Sequence, residues 1–202
     1  MKRNRRNARY IALFLLLIVP ALLGADLACS AGHSRATPRP GHWAKPLKRE
    51  GLPNLHRVTE SLYRGAQPTA AGMRRLKAMG VKTVVNLRSF HSDRDEIGDT
   101  GLGYVHIYMK AWHPEKREVV RFLQVVTDDG LTPAFVHCKH GADRTGLMCA
   151  VYRMAICGWT KNEAIAEMTE GGFGYHRIWG NLVRFIEDLD IAAIKERAGI
   201  ED

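Results

Sequence analysis

Residues 137–146 read H-C-K-H-G-A-D-R-T-G and place Cys138 and Arg144 six positions apart around a short loop. Ahead of the loop, residues 133–136 (P-A-F-V) make a short apolar run of the kind that forms a buried strand, and residues 145–156 repeat apolar side chains at helical spacing. A strand that runs through a loop into a helix aims several backbone N–H groups, with the positive end of the helix dipole, into the loop's concavity. That concavity is a place for an anion such as phosphate. A cysteine at the start of the loop feels the same field, which stabilises its thiolate and draws its pKa below the roughly 8.5 of a free thiol. Arg144 offers a planar guanidinium that grips two phosphate oxygens at once and follows negative charge toward a transition state.

The spacing C-x-x-x-x-x-R, with Gly141 inside it and Thr145 directly after the arginine, resembles the signature of the cysteine-dependent protein tyrosine and dual-specificity phosphatases. The resemblance implies roles position by position. Cys138 is the attacking thiolate, Arg144 the phosphate clamp, and Thr145 the hydroxyl that hydrogen-bonds the sulfur and eases its departure. His137 matches the histidine that helps lower the cysteine's pKa, while Lys139, His140, Gly141, Ala142 and Gly146 form the substrate cradle. Taken singly, a cysteine is most often a small core residue and an arginine a solvated one. Their joint occurrence at fixed spacing between strand and helix favours catalysis. The resemblance extends over residues 55–190, to compact dual-specificity-like phosphatases of the bacterial type, through L-Y-R-G-A-Q-P, V-V-N-L-R-S and G-G-F-G-Y-H.

The general acid is where the pattern departs. The family resemblance implies an aspartate about thirty residues before the cysteine, yet residues 103–113 contain no carboxylate. Asp143, directly before Arg144, is the preferred acid, by similarity to the myotubularin and Sac-type phosphoinositide phosphatases; its structural alternative is to pair with Arg144 or cap the helix. Glu115, after Trp112-His113-Pro114, is the alternative acid, and it equally suits the first turn of the following helix. Asp93, Asp95 and Asp99 come third. No metal is expected: His137, Cys138 and His140 find no second ligand pair among Cys29, Cys149 and Cys157. No cofactor is expected either, and no structural disulfide, because Cys149 and Cys157 are eight apart on one helix.

The net charge of +9 is concentrated at the start: residues 1–50 hold 10 Lys/Arg against 2 Asp/Glu, which leaves +1 for the remainder. A near-neutral domain presents no broad basic face, and nucleic acid is not an expected partner. Lys2, Arg3, Arg5, Arg6 and Arg9 precede an uncharged, largely apolar stretch at 11–25, the layout of a secretory signal or short anchor. Fifteen residues fall short of the roughly twenty that span a bilayer comfortably. Export is expected, to the periplasm or an inner-membrane anchor through residues 11–25, with Cys29 a weak match to a lipoprotein site. The chain divides into a leader at 1–29, a Pro- and Lys/Arg-rich linker at 30–53 and a phosphatase domain at 54–202.

Within the domain the patterns predict a strand or hairpin edge at 57–63, a helix from Thr69 to Gly80 and a buried strand at 81–87. A strand at 104–108 and an amphipathic helix at 115–127 with Val119, Phe122, Leu123 and Val126 inward come next. The strand at 134–137 then feeds the loop, Thr160 and Glu163 form a capping box, and one long helix covers 176–189. This order implies an α/β fold: a central, mostly parallel sheet flanked by helices, with a helical C-terminal half, as in the phosphatases it resembles. The expected function is phosphomonoester hydrolysis through a phosphocysteine, on phosphotyrosine protein. The alternatives are a phosphoinositide or inositol phosphate, favoured by the basic Lys139 and His140, and a non-catalytic phosphate-binding module.

Overall fold

The structure is a computed structural model that describes residues 39–201, so the leader and the first part of the linker lie outside the described residues. Six strands form one sheet: β1 (Lys45–Pro46), β2 (His56–Arg57), β3 (Leu62–Gly65), β4 (Thr83–Asn86), β5 (Gly103–His106) and β6 (Ala134–His137). Their order is β1-β2-β3-β6-β4-β5, antiparallel from β1 to β3 and parallel from β3 to β5. The sheet is mostly parallel, as the alternation of strands and helices implies. The register aligns Gly65, His137, Asn86 and His106 in one row. The loops that leave this row occupy the carboxyl edge of the strands, where open α/β sheets bind ligands.

Alternate residues of the central strands serve opposite faces. Val84 and Phe135 join Met73 and Leu76 of α1 (Ala70–Ala78), whereas Val85 and Val136 meet Phe122 of α3 (Lys116–Val126) and Leu147 and Val151 of α4 (Asp143–Cys157). Helix α4 is buried on nearly every side. It is the pillar of the larger core, and its first turn carries the second half of the phosphate-loop motif. Caps match the sequence reading: Thr69 accepts from the Gly72 N–H at the start of α1, and Thr160 and Glu163 close a capping box at α5 (Lys161–Glu170).

Two expectations need correction. The linker does not run to residue 53, because β1 pairs with β2, Ala44 and Leu52 are buried, and the Arg39 guanidinium bonds the Ala44 and Gly171 carbonyls. The Ala44 N–H donates to Glu167 at 2.6 Å, and Glu167 in turn forms a bidentate pair with Arg153 at 2.8 and 2.9 Å. A polar segment thus joins the fold through backbone bonds and a buried ion pair rather than through an apolar stripe. The long helix expected at 176–189 is instead a 3₁₀ turn (Arg177–Trp179) followed by α6 (Gly180–Glu187), and α7 (Ile191–Ala198) follows it, with its start capped by Asp190. A short helix, α2 (Arg94–Ile97), sits in the charged loop after β4.

Candidate active site

The loop between β6 and α4 is shaped by local sequence. Gly141 has φ +68°, and a Cβ there would meet the Gly65 carbonyl carbon and oxygen at 2.4 Å, so a side chain is excluded by conformation and by space. The Gly141 carbonyl accepts from Arg64 Nη2 at 2.8 Å. Arg64 is 1% exposed, its guanidinium lies 3.6 Å from the Phe173 ring centroid, and its Nε has no partner among the described residues. A buried cation therefore underpins the loop from inside, and the sequence reading gave it no role. Its only prior signal was its place in L-Y-R-G-A-Q-P.

Around the loop mouth, Arg88, Ser89, Phe90, Ala111, Trp112, Lys139, His140, Asp143, Arg144, His176, Ile178 and Trp179 enclose a cavity of about 410 Å³. Arg144 Nη1 donates to the Leu87 and Met109 carbonyls at 3.2 and 3.3 Å, which fixes the guanidinium against the ends of β4 and β5. Cys138 is 2% exposed and joins the buried cluster, with the cavity walls made by its neighbours rather than by its own side chain. The Thr145 hydroxyl is buried and has no partner among the described residues, so the Thr145–sulfur hydrogen bond implied by resemblance is not made in this arrangement. Ala142 is buried before α4, and Gly146 lies in its first turns against Met168.

Behind the loop, His137 Nε2 donates to Asp93 Oδ2 at 2.6 Å, and both side chains are fully buried. Asp93 Oδ1 accepts from Gln67 Nε2 at 2.9 Å, and Gln67 Oε1 accepts from Arg88 Nη1 at 2.9 Å. Burial alone would push the Asp93 carboxyl up. The hydrogen bond and charge of His137, with Gln67 and His91, outweigh it and hold the group below the usual carboxylate value. Asp93 is therefore an anion locked onto His137 and cannot donate a proton to a substrate. Of the two His137 ring nitrogens, Nε2 is engaged by Asp93 and Nδ1 lies 3.4 Å from the Cys138 carbonyl.

Glu115 is not a cavity residue. It caps α3 in a reciprocal box with Glu118 and bonds Arg117 at 2.9 Å, so the helix-start alternative holds. Asp143 does line the cavity, but its oxygens accept from the His176 backbone N–H at 2.9 Å and from His176 Nδ1 at 3.1 and 2.9 Å. The alternative pairing of Asp143 with Arg144 is replaced by a pairing with His176, which arrives from the turn before α6. His140, Asp143 and His176 also lie close enough together to chelate a divalent cation, as do His91, Asp93 and Glu96. In the second group, Asp93 is already committed to His137.

Comparison with known proteins resolves the family. A family model described as "DSP-PTPase phosphatase fused to NAD+ Kinase" matches residues 48–174. The dual specificity protein phosphatase TpbA of Pseudomonas aeruginosa (strain UCBPP-PA14) is 34% identical over 187 residues, 90% of this chain and 84% of that one. The chain belongs to the dual-specificity phosphatases. As a dual-specificity phosphatase it is an enzyme, a cysteine-dependent phosphomonoester hydrolase. The crystal structure of P. aeruginosa TpbA superposes with a TM-score of 0.71 at 30% identity, covering 80% of this chain and 99% of TpbA, and a TpbA variant has been crystallised in complex with pTyr. The core catalytic domain of PP-IP phosphatase SIW14 from S. cerevisiae has the same fold, with a TM-score of 0.65 at 21% identity over 73% of this chain and 93% of that one.

Proposed function

We propose that this phosphatase removes phosphate from phosphotyrosine in proteins, with Cys138 as nucleophile and Arg144 as phosphate clamp. The observation that carries the reading is the cavity's division of labour. Arg144, Lys139 and His140 supply cations to the lining, while Phe90, Trp112 and Ile178, exposed by 89%, 60% and 82%, supply apolar surface. A phosphate suits the cations, and an aryl ring suits the walls. TpbA, with pTyr in its crystal, is consistent with this substrate class. Because Cys138 is nearly closed off, substrate phosphorus approaches it from the cavity side, past Lys139 and Arg144.

In the first step the Cys138 thiolate attacks phosphorus in line, the bond to the tyrosyl oxygen breaks, and a phosphocysteine forms; water then cleaves it and restores the thiolate. Arg144 and the loop N–H groups stabilise the charge on the transferring phosphoryl, the larger part of the acceleration. The unpartnered Thr145 hydroxyl is available to the departing sulfur. Replacing Cys138→Ser is expected to abolish turnover of a phosphotyrosine peptide while leaving phosphate binding largely intact. A variant that turns over at the wild-type rate overturns the assignment.

The basic side chains of the cavity, Arg88, Lys139, His140, Arg144 and His176, also suit an inositol polyphosphate. A direct contest of phosphotyrosine peptide against inositol phosphates decides between them, and the apolar walls favour the peptide. We further propose that the enzyme acts after export, on the strength of the five basic residues ahead of the apolar stretch at 11–25. Among the described residues no helix is long and apolar enough to cross a membrane. Full-length protein found only in the cytoplasmic fraction of its host would refute export.

A further inference from the structure

We propose that His176 gives the leaving oxygen its proton and that Asp143 holds His176 for that task. The proposal rests on the phosphatase reading above and supplies the part that reading lacks. Among the described residues Asp143 is the only carboxylate that lines the cavity, and its oxygens accept three contacts from His176, one from the backbone N–H and two from Nδ1. Asp143 also occupies the first turn of α4, where the helix dipole favours an anion. Both Asp143 oxygens are taken up by His176.

His176 is placed differently. Its Nδ1–H is committed to Asp143, its Nε2 has no partner among the described residues, and its side chain is 48% exposed in the wall that Arg144 and Lys139 share. A carboxylate that fixes one imidazole nitrogen also fixes which nitrogen exchanges protons with a substrate, and histidine is the side chain best suited to do so near neutral pH. The charged neighbours are Asp143, His140, with its ring centroid 5.4 Å away, Lys139, Arg144 and Arg88. Arg177 follows directly in sequence.

The proton balance closes without an outside reagent. As sulfur bonds to phosphorus and the P–O bond breaks, the proton on His176 Nε2 passes to the departing oxygen, leaving a neutral imidazole with Nδ1–H still on Asp143. In the second step that Nε2 takes a proton from the attacking water as the S–P bond breaks.

Two substrates separate this role from a structural one. Phenyl phosphate needs a proton at its leaving oxygen, whereas para-nitrophenyl phosphate leaves readily without one. His176→Asn is expected to lower kcat on phenyl phosphate by about 100-fold or more and on para-nitrophenyl phosphate by less than about tenfold. It should also flatten the alkaline limb of the wild-type kcat profile. Asp143→Asn should show the same substrate asymmetry in milder form. Equal losses on both substrates, or none, would overturn the proposal, as would wild-type activity that falls on treatment with EDTA, which would mark His140, Asp143 and His176 as a cation site. Wild-type protein inert toward both substrates would instead sink the phosphatase reading beneath it.

Discussion

Two histidine–aspartate pairs stand on either side of the phosphate loop, and their surroundings give them opposite characters. His137–Asp93 has both side chains fully buried, whereas His176–Asp143 leaves the imidazole 48% and the carboxylate 9% exposed. The inner pair has every polar atom of the carboxylate engaged by His137, Gln67 and His91, so it has no proton to exchange with a substrate and serves as a fixed strut beneath β6. The outer pair lines the cavity and leaves one imidazole nitrogen without a partner among the described residues. The same two residue types thus make a brace when water is shut out and a proton relay when it is admitted. Burial, more than residue identity, assigns the role.

The sharpest way to break this contrast is to delete each carboxylate in turn and measure urea unfolding. Asp93→Leu leaves the His137 ring and the Gln67 amide buried without their acceptor, which costs about 3 kcal/mol or more. For a chain of this size that corresponds to a fall in Tm of roughly 6–12 °C. Asp143→Leu removes a buried acceptor whose partner, His176, is half-exposed and can turn to water, together with a favourable charge in the first turn of α4, a loss of about 1 kcal/mol. Similar losses from both substitutions would show that the two pairs carry comparable weight and would remove the basis for separating them.

Acid titration is a second probe of the inner pair. Burial raises the Asp93 carboxyl, but the bonds from His137 and Gln67 reverse the shift, so its folded value lies below its unfolded one. For a depressed acid, the stabilisation is complete above the unfolded value, near 3.8, and drains away as pH falls through the lower folded value. The stability gap between the wild type and Asp93→Asn is therefore expected to be widest at neutral pH and to narrow below about pH 4. A gap that widens on acidification would contradict an anionic Asp93. Carboxyl resonances followed by NMR across the same range would test the sign directly.

The legibility of this site in the sequence follows the range of the contacts involved. Cys138, Arg144 and Gly141 were readable because a strand, a loop and a helix start lie within ten residues and their spacing is itself the geometry. The partners were not readable in the same way: Asp93 stands 44 positions from His137, and His176 stands 33 from Asp143. Nothing local marks either one. Asp93 sits in a charged loop that reads as solvated surface, and His176 follows a run of glycines that reads only as a turn. Residues 39–53 hid their place in the sheet for a related reason, since a two-residue strand held by backbone bonds leaves no alternating pattern. The break before α6 was missed because apolar spacing continues through Ile178 and Trp179, while the backbone turns out of the α region at Trp179.

Gln67 offers the finest test, because it is where the two regions come closest to touching. Its Nε2 donates to Asp93, its Oε1 accepts from Arg88 in the cavity wall, and its backbone N–H reaches the Lys139 carbonyl at 3.3 Å. One amide thus ties the buried brace to a basic side chain that faces substrate. Gln67→Met keeps the volume close but removes its side-chain bonds to Asp93, Arg88 and the Pro68 carbonyl, at a cost of about 1 kcal/mol in stability. With Arg88 released from its partner, KM for a phosphotyrosine peptide is expected to rise a few-fold while kcat stays within about twofold, since the nucleophile and Arg144 are untouched. A stability loss with no change in KM would show that the inner pair serves folding alone. A fall in kcat matching the rise in KM would show that its influence reaches past Arg88 to the phosphate loop.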